Sequence, residues 1–151
     1  MVKRAESQTE EIEIVGNWLR SHIKGAVENH EIGVFVRSHK ELARAKVAVT
    51  NAGIEYLVLD EDVHPAEGKV CLGTMHTAKG LEFKAVAVMG CDYNVIPSPE
   101  RIEDVADESD LVEVINTERH LLYVACTRAR DFLLVTGVDP ASEFLDDLEM
   151  K

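Results

Sequence analysis

Five short runs of apolar, β-forming residues (32–37, 54–59, 70–75, 85–90 and 132–136) punctuate this chain, separated by segments of helical or loop character. The runs at 70–75 and 85–90 are apolar on both faces, as strands buried on both sides of a parallel sheet are. Strands alternating with helices at these spacings imply a mostly parallel sheet with helices on both faces, an α/β fold. Ligands of such sheets bind at the carboxyl ends of the strands, near the point where strand order reverses.

The helical segments are readable from periodicity and punctuation. From Thr9 onward, Ile12, Val15, Trp18, Leu19, His22 and Ile23 recur at spacings of three and four, with Glu10, Glu11, Glu13, Arg20 and Lys24 on the other face. Ser38 is a candidate N-cap for a second helix through Leu42, Ala45, Val49 and Ala52, which Asn51-Ala52-Gly53 stops. After a loop that carries Pro97, Pro99 and an acidic run to Asp110, the pair Asp110 and Glu113 has capping-box spacing. The helix it opens carries Leu111, Val114, Ile115, Leu121, Leu122, Val124 and Ala125. Gly137 is expected to end the last strand, and residues 142–148 to form a final helix. Residues 1–8 read as a polar tail, leaving 9–151 as one domain, since 151 residues with 46% hydrophobic positions suffice for a single core.

Charge and cysteine usage narrow the function. A formal net charge of −12 is far from that of a module that grips nucleic acid tightly on its own, although the acids are uneven enough to leave room for a local basic site. Cys71, Cys91 and Cys126 lack metal-ligand spacing and suit reduced thiols in the cytoplasm. The scattered histidines and the acidic loops show no metal-site pattern, so none is expected. No run approaches the roughly 20 apolar residues of a membrane span, and no secretory signal opens the chain.

Chemistry concentrates in two blocks. Residues 74–83 (TMHTAKGLEF) put a hydroxyl, an imidazole, an ammonium and a carboxylate after an apolar strand. Backbone amides there, with Thr77 and Lys79, can hold phosphate oxygens, and Glu82 can accept from a ribose hydroxyl. Residues 118–130 (ERHLLYVACTRAR) end an apolar helix with Thr127, Arg128 and Arg130. An arginine projected from a rigid helix can stabilise a transferring phosphoryl group, or it can complement the negative end of the helix dipole. Both blocks are expected at the carboxyl edge of the sheet.

The first block resembles motif V, and the second motif VI, of the UvrD/Rep-like superfamily 1 helicases; the strand at 32–37 with Ser38 resembles one in their second motor domain. The resemblance runs from about Glu10 to Gly137. It implies a RecA-like (P-loop NTPase-like) C-terminal motor domain, with Thr74, His76 and Lys79 contacting single-stranded DNA. It further implies that Gly80 and Glu82 meet the nucleotide and that Arg128 is the catalytic arginine finger at the γ-phosphate. Lys79 belongs to the motif without a clear duty of its own, while Arg119, Leu122 and Tyr123 suit packing. ATP and magnesium would be bound mainly by an N-terminal ATP-binding motor domain, the implied partner, and none by this chain alone.

Departures from the family pattern set limits. No Gly-x-x-x-x-Gly-Lys-Ser/Thr loop, no strand ending in Asp-Glu and no Asn-Tyr-Arg-Ser motif occurs, so the chain alone is not expected to hydrolyse ATP. Only about 30 residues separate Arg37 from Lys69, where large relatives insert a DNA-contacting domain, and Thr117 replaces the first of the two acids that often open motif VI. The alternative is a stand-alone protein-binding module derived from such a domain. A flavodoxin- or receiver-like small-molecule domain would need a phosphate loop or an acidic pocket that Arg37-Ser38-His39-Lys40 does not supply.

Overall fold

A computed structural model describes residues 1–149. Six strands form one all-parallel sheet in the order β1-β6-β5-β2-β4-β3: β1 Val2–Ala5, β2 Ile32–Val36, β3 Tyr56–Val58, β4 Val70–Thr74, β5 Phe83–Val88 and β6 Ala129–Val138. The helices are α1 Gln8–Lys24, α2 Leu42–Asn51, α3 Pro99–Glu103, α4 Glu108–Cys126 and α5 Phe144–Glu149. No described helix is long and apolar enough to cross a membrane.

Helices on both faces follow from the two-sided apolarity of the strands. Val34, Val36, Ala85, Ala87 and Leu134 point to one face and pack with Val15 and Leu19 of α1 and Ala45, Ala48 and Val49 of α2. Phe35, Cys71, Val86, Val88 and Val135 point to the other, against Leu122, Ala125 and Cys126 of α4 and Phe144 and Leu145 of α5. All three thiols are buried; burial pushes Cys71 up to about 11 and Cys126 up to about 12, and raises Cys91 as well.

Several boundaries differ from the sequence reading for identifiable reasons. Residues 1–8 are not merely a polar tail: Val2–Ala5 pairs with Val135–Val138, and an edge strand needs only one ladder and two inward side chains, too little to leave a pattern. Ser38 makes no side-chain cap; a 3₁₀ turn, His39–Glu41, precedes α2. The expected loop contains α3, started by Pro99 in its first turn. α4 is capped by Asp107, which accepts from the Asp110 amide at 2.9 Å, so Asp110 lies in the first turn. Gly137 lies inside β6, not at its end.

Gly137 is required by a close approach. A Cβ there would run into the Cys91 backbone carbonyl, which accepts from the Ser142 amide at 2.9 Å, so neither partner can yield without breaking that bond. Gly137→Ala is therefore expected to lower stability by about 1–3 kcal/mol, the usual range for overpacking, as read from urea unfolding. A loss below about 0.5 kcal/mol would show that the loop after β5 is free to shift.

Candidate nucleotide and nucleic-acid interfaces

Strand order reverses around β2, because β4 lies on one side of it and β5 on the other. The first block makes that crossing. Thr74 ends β4 in register with Val36, and Met75 donates to the Val36 carbonyl at 2.7 Å, which fixes the start of the block at the carboxyl edge. Residues 74–79 then form a tight turn: the Thr77 and Ala78 amides donate to the Thr74 carbonyl at 3.0 and 3.2 Å, and the Thr77 hydroxyl does so at 2.8 Å. Gly80 takes φ +83°, the left-handed conformation that lets the chain leave the turn. Phe83 starts β5 two residues before the row that joins Ala85 to Ile32.

The block consequently spans the sheet from edge to edge. Thr74, His76 and Lys79 belong to the carboxyl edge, whereas Glu82 lies at the amino edge. Arg128 also lies there, just before β6, and its carbonyl accepts from the Phe83 amide at 2.8 Å. The expectation that both blocks reach the carboxyl edge is thus corrected for Glu82, Arg128 and Arg130. Every parallel strand starts at the edge opposite to where its predecessor ended, so residues immediately before β5 and β6 must sit at the amino edge. For strands of five residues at about 3.3 Å each, the two groups are roughly 16 Å apart.

At the amino edge, Arg128 donates through Nε to the Val124 carbonyl at 3.1 Å, through Nη1 to the Leu81 carbonyl at 3.3 Å and through Nη2 to the Thr127 hydroxyl at 3.2 Å. It caps the end of α4, where the helix dipole favours a cation, while joining α4 to the first block. Glu82 is exposed and within 3.6 Å of Arg130, which is also 3.8 Å from Glu31. At the carboxyl edge, His76 and Lys79 are exposed and Thr74 is buried. His76 and Lys79 line a cleft of about 210 Å³ with Arg101 of α3 and His120 of α4, a basic spot on an acidic chain. Partial desolvation of the ring, then the nearby Arg37 charge, lowers the His76 pKa; Glu118 opposes the shift and Arg101 adds to it. A larger cavity of about 380 Å³ lies between β1, α4, β6 and α5, lined by none of these candidate residues.

Two buried charge clusters escaped the sequence reading. Glu118 is fully buried and accepts from Arg37 Nε and Nη2 at 2.8 and 2.7 Å, Arg101 Nη1 at 2.9 Å and the Ser98 amide at 2.7 Å. Burial alone would raise its pKa, but these donors outweigh it and hold the carboxyl below its usual value of 4.5. Its contribution to stability is complete above that value and is lost as the pH falls through the lower folded one. In the second cluster, Arg44 Nη2 donates to Glu11 at 2.7 Å, and Nη1 to Asp92 and Glu41, both at 2.9 Å. Glu11 also accepts from the Gly90 amide and the Thr136 hydroxyl, both at 2.8 Å. Glu11 is not on the solvated face of α1 with Glu10 and Glu13: its spacing to Val15 and Leu19 puts it on the buried stripe. Arg119 and Tyr123 both reach Asp147 of α5, at 3.2 and 3.1 Å.

Among the described residues no group of three or more His, Cys, Asp or Glu side chains is arranged to hold a metal ion. The model of the UvrD-like helicase C-terminal domain matches residues 60–139, more than half of the chain and both blocks. The ATP-dependent DNA helicase PcrA of Staphylococcus aureus (strain MRSA252) is 40% identical over 80 residues, 53% of this chain and 10% of that protein. The PcrA of Staphylococcus epidermidis (strain RP62A) is 40% identical over 81 residues, 54% of this chain and again 10% of the relative. The match thus spans about a tenth of these relatives' length. Among solved structures, the C-terminal domain of a possible DNA helicase from Lactobacillus plantarum WCFS1 superposes with a TM-score of 0.64 at 22% identity, covering 95% of this chain and 76% of that one, which fits the RecA-like α/β fold. With its family-specific segment running from the loop before β4 through the whole of β6, the chain belongs to the UvrD-like helicase C-terminal domain family.

Proposed function

We propose that this chain is the second motor domain of an ATP-dependent DNA helicase and works in the cytoplasm with an N-terminal ATP-binding domain. On this reading Thr74, His76 and Lys79 contact the phosphates of a single strand, while Gly80 and Glu82 meet the nucleotide. Arg128 supplies the arginine that stabilises charge on the transferring phosphoryl group. The observation that carries the reading is the division of these residues between two sheet edges. A motor needs two ligand surfaces that do not compete, and one eight-residue connection, 75–82, links them.

The chemistry of the donor sets suits the two ligands. The carboxyl edge offers an imidazole, an ammonium and a nearby guanidinium, donors fit for a phosphodiester backbone. The amino edge offers an exposed carboxylate for sugar hydroxyls and a guanidinium beside it. Magnesium and most of the triphosphate fall to the partner domain, since ATP and the metal need a phosphate-binding loop and acidic pair that this sequence lacks. ATP supplies the hydrolysis energy when bound between the halves. This domain's part is to present Arg128 and to hold the strand.

ATP turnover, measured with and without single-stranded DNA for this chain alone and for the intact enzyme, tests the proposal. The chain alone is expected to be inactive and the intact enzyme to be stimulated by DNA. Hydrolysis by the isolated chain, or an intact gene product without ATPase activity that instead captures a protein partner, would replace the motor with the binding-module reading.

A further inference from the structure

Two connections cross the same face of the sheet side by side: the block at 75–82 and helix α4. They are tied at both ends. At the amino edge the ties are the Arg128 guanidinium on the Leu81 carbonyl and the Phe83 amide on the Arg128 carbonyl. Toward the carboxyl edge the tie is Glu118, which gathers Arg37 from the end of β2, Arg101 from α3 and the Ser98 amide. The same Val36-Arg37 segment carries the start of the block, because Met75 donates to the Val36 carbonyl at 2.7 Å.

Building on the motor reading, we propose that Glu118 is the positioning residue through which occupancy of the strand-binding edge is passed along α4 to Arg128. Three features support the assignment. Glu118 has no solvent exposure and four donors, so its side chain has one arrangement rather than many. Its Arg101 partner also lines the cleft with His76 and Lys79, which gives the cleft a direct mechanical connection to the helix. From Glu118 to the end of α4 at Cys126 the chain is continuous helix, about 12 Å at 1.5 Å per residue, and Arg128 follows two residues later. Coupling between sites travels through hydrogen-bonded networks and stiff elements of this kind. The amino-edge tie is made without Glu118, so on this reading DNA-free hydrolysis does not depend on that carboxylate.

The test is Glu118→Gln in the intact enzyme, with ATP turnover measured in the absence of DNA and at saturating oligo-dT. The stimulation ratio is expected to fall about tenfold, within the range known for network mutations, while DNA-free turnover stays within about threefold of the original. An unchanged ratio, or an equal fall in both rates, overturns the proposal, the latter because it marks a purely structural role. Should Glu118→Gln fail to fold, Arg37→Lys decides in its place, since it keeps a positive charge against Glu118, gives up the two-bond fork and is not among the strand- or nucleotide-binding residues. It must lower the ratio in the same sense. An original enzyme with no DNA stimulation at all would instead remove the motor reading, and this coupling with it.

Discussion

Arg128→Ala in the intact enzyme is expected to lower the rate constant for ATP hydrolysis by roughly a thousandfold or more, the range attached to loss of an arginine finger. The structure makes this a clean experiment. The Arg128 side chain gives up three hydrogen bonds, to Val124, Leu81 and Thr127, all at a partly exposed helix end. Their combined loss should cost about 1–2 kcal/mol and only a few degrees in Tm. A thousandfold kinetic defect with a nearly unchanged Tm separates a phosphate-directed role from a capping one. Turnover within about threefold of the original would return Arg128 to helix capping and remove it from the proposed machinery.

Arg44→Ala is expected to have the largest effect on folding. Its guanidinium lies among Glu11, Glu41 and Asp92, and its pKa is raised further: burial opposes its charge, but the carboxylates more than compensate. Removing it leaves the fully buried Glu11 and the nearly buried Asp92 without their countercharge, which costs about 3–5 kcal/mol. For a chain of this size that is a fall of about 10 °C in Tm. Because Glu11 also holds the Gly90 amide and the Thr136 hydroxyl, α1, α2 and the ends of β5 and β6 loosen together. Glu11→Gln added to Arg44→Ala should recover part of the loss, since it removes one orphaned charge. Thermal and urea unfolding of the single and double variants measure both effects, and a single-variant loss under about 1 kcal/mol would contradict this account of the cluster.

Periodicity made the central strands and the long helices legible, because residues such as Val34 and Val86 or Val15 and Leu19 are buried for reasons that repeat along the chain. β1 was not legible, since an edge strand is specified by its neighbour β6 and not by its own side chains. α3 was hidden because five residues opened by Ser98 and Pro99 resemble a turn. For the site, residue type nominated Thr77, Lys79 and Glu82 and left Arg128 open between phosphate and helix dipole, and the helicase resemblance added Thr74 and His76; neither says which edge each would occupy. That depends on each crossover of a parallel sheet carrying the chain back from the carboxyl edge to the amino edge, which composition does not encode. Glu118 and Glu11 escaped because a carboxylate on an apolar helical stripe is read as a solvated interruption. The arginines that make burial tolerable come from 81 and 33 residues away, respectively.

The three buried thiols have a practical consequence. With Cys71, Cys91 and Cys126 packed in the core beneath α4 and held in the protonated form, the folded domain offers labelling reagents no accessible thiolate near neutral pH. A single cysteine introduced at Val112, 58% exposed on the outer face of α4, becomes the one reactive handle on the domain. A fluorophore there would ride on α4, the helix that leads to Arg128, so the native side-chain inventory becomes a ready background for reading whether that helix moves when ATP or single-stranded DNA is added to the intact enzyme.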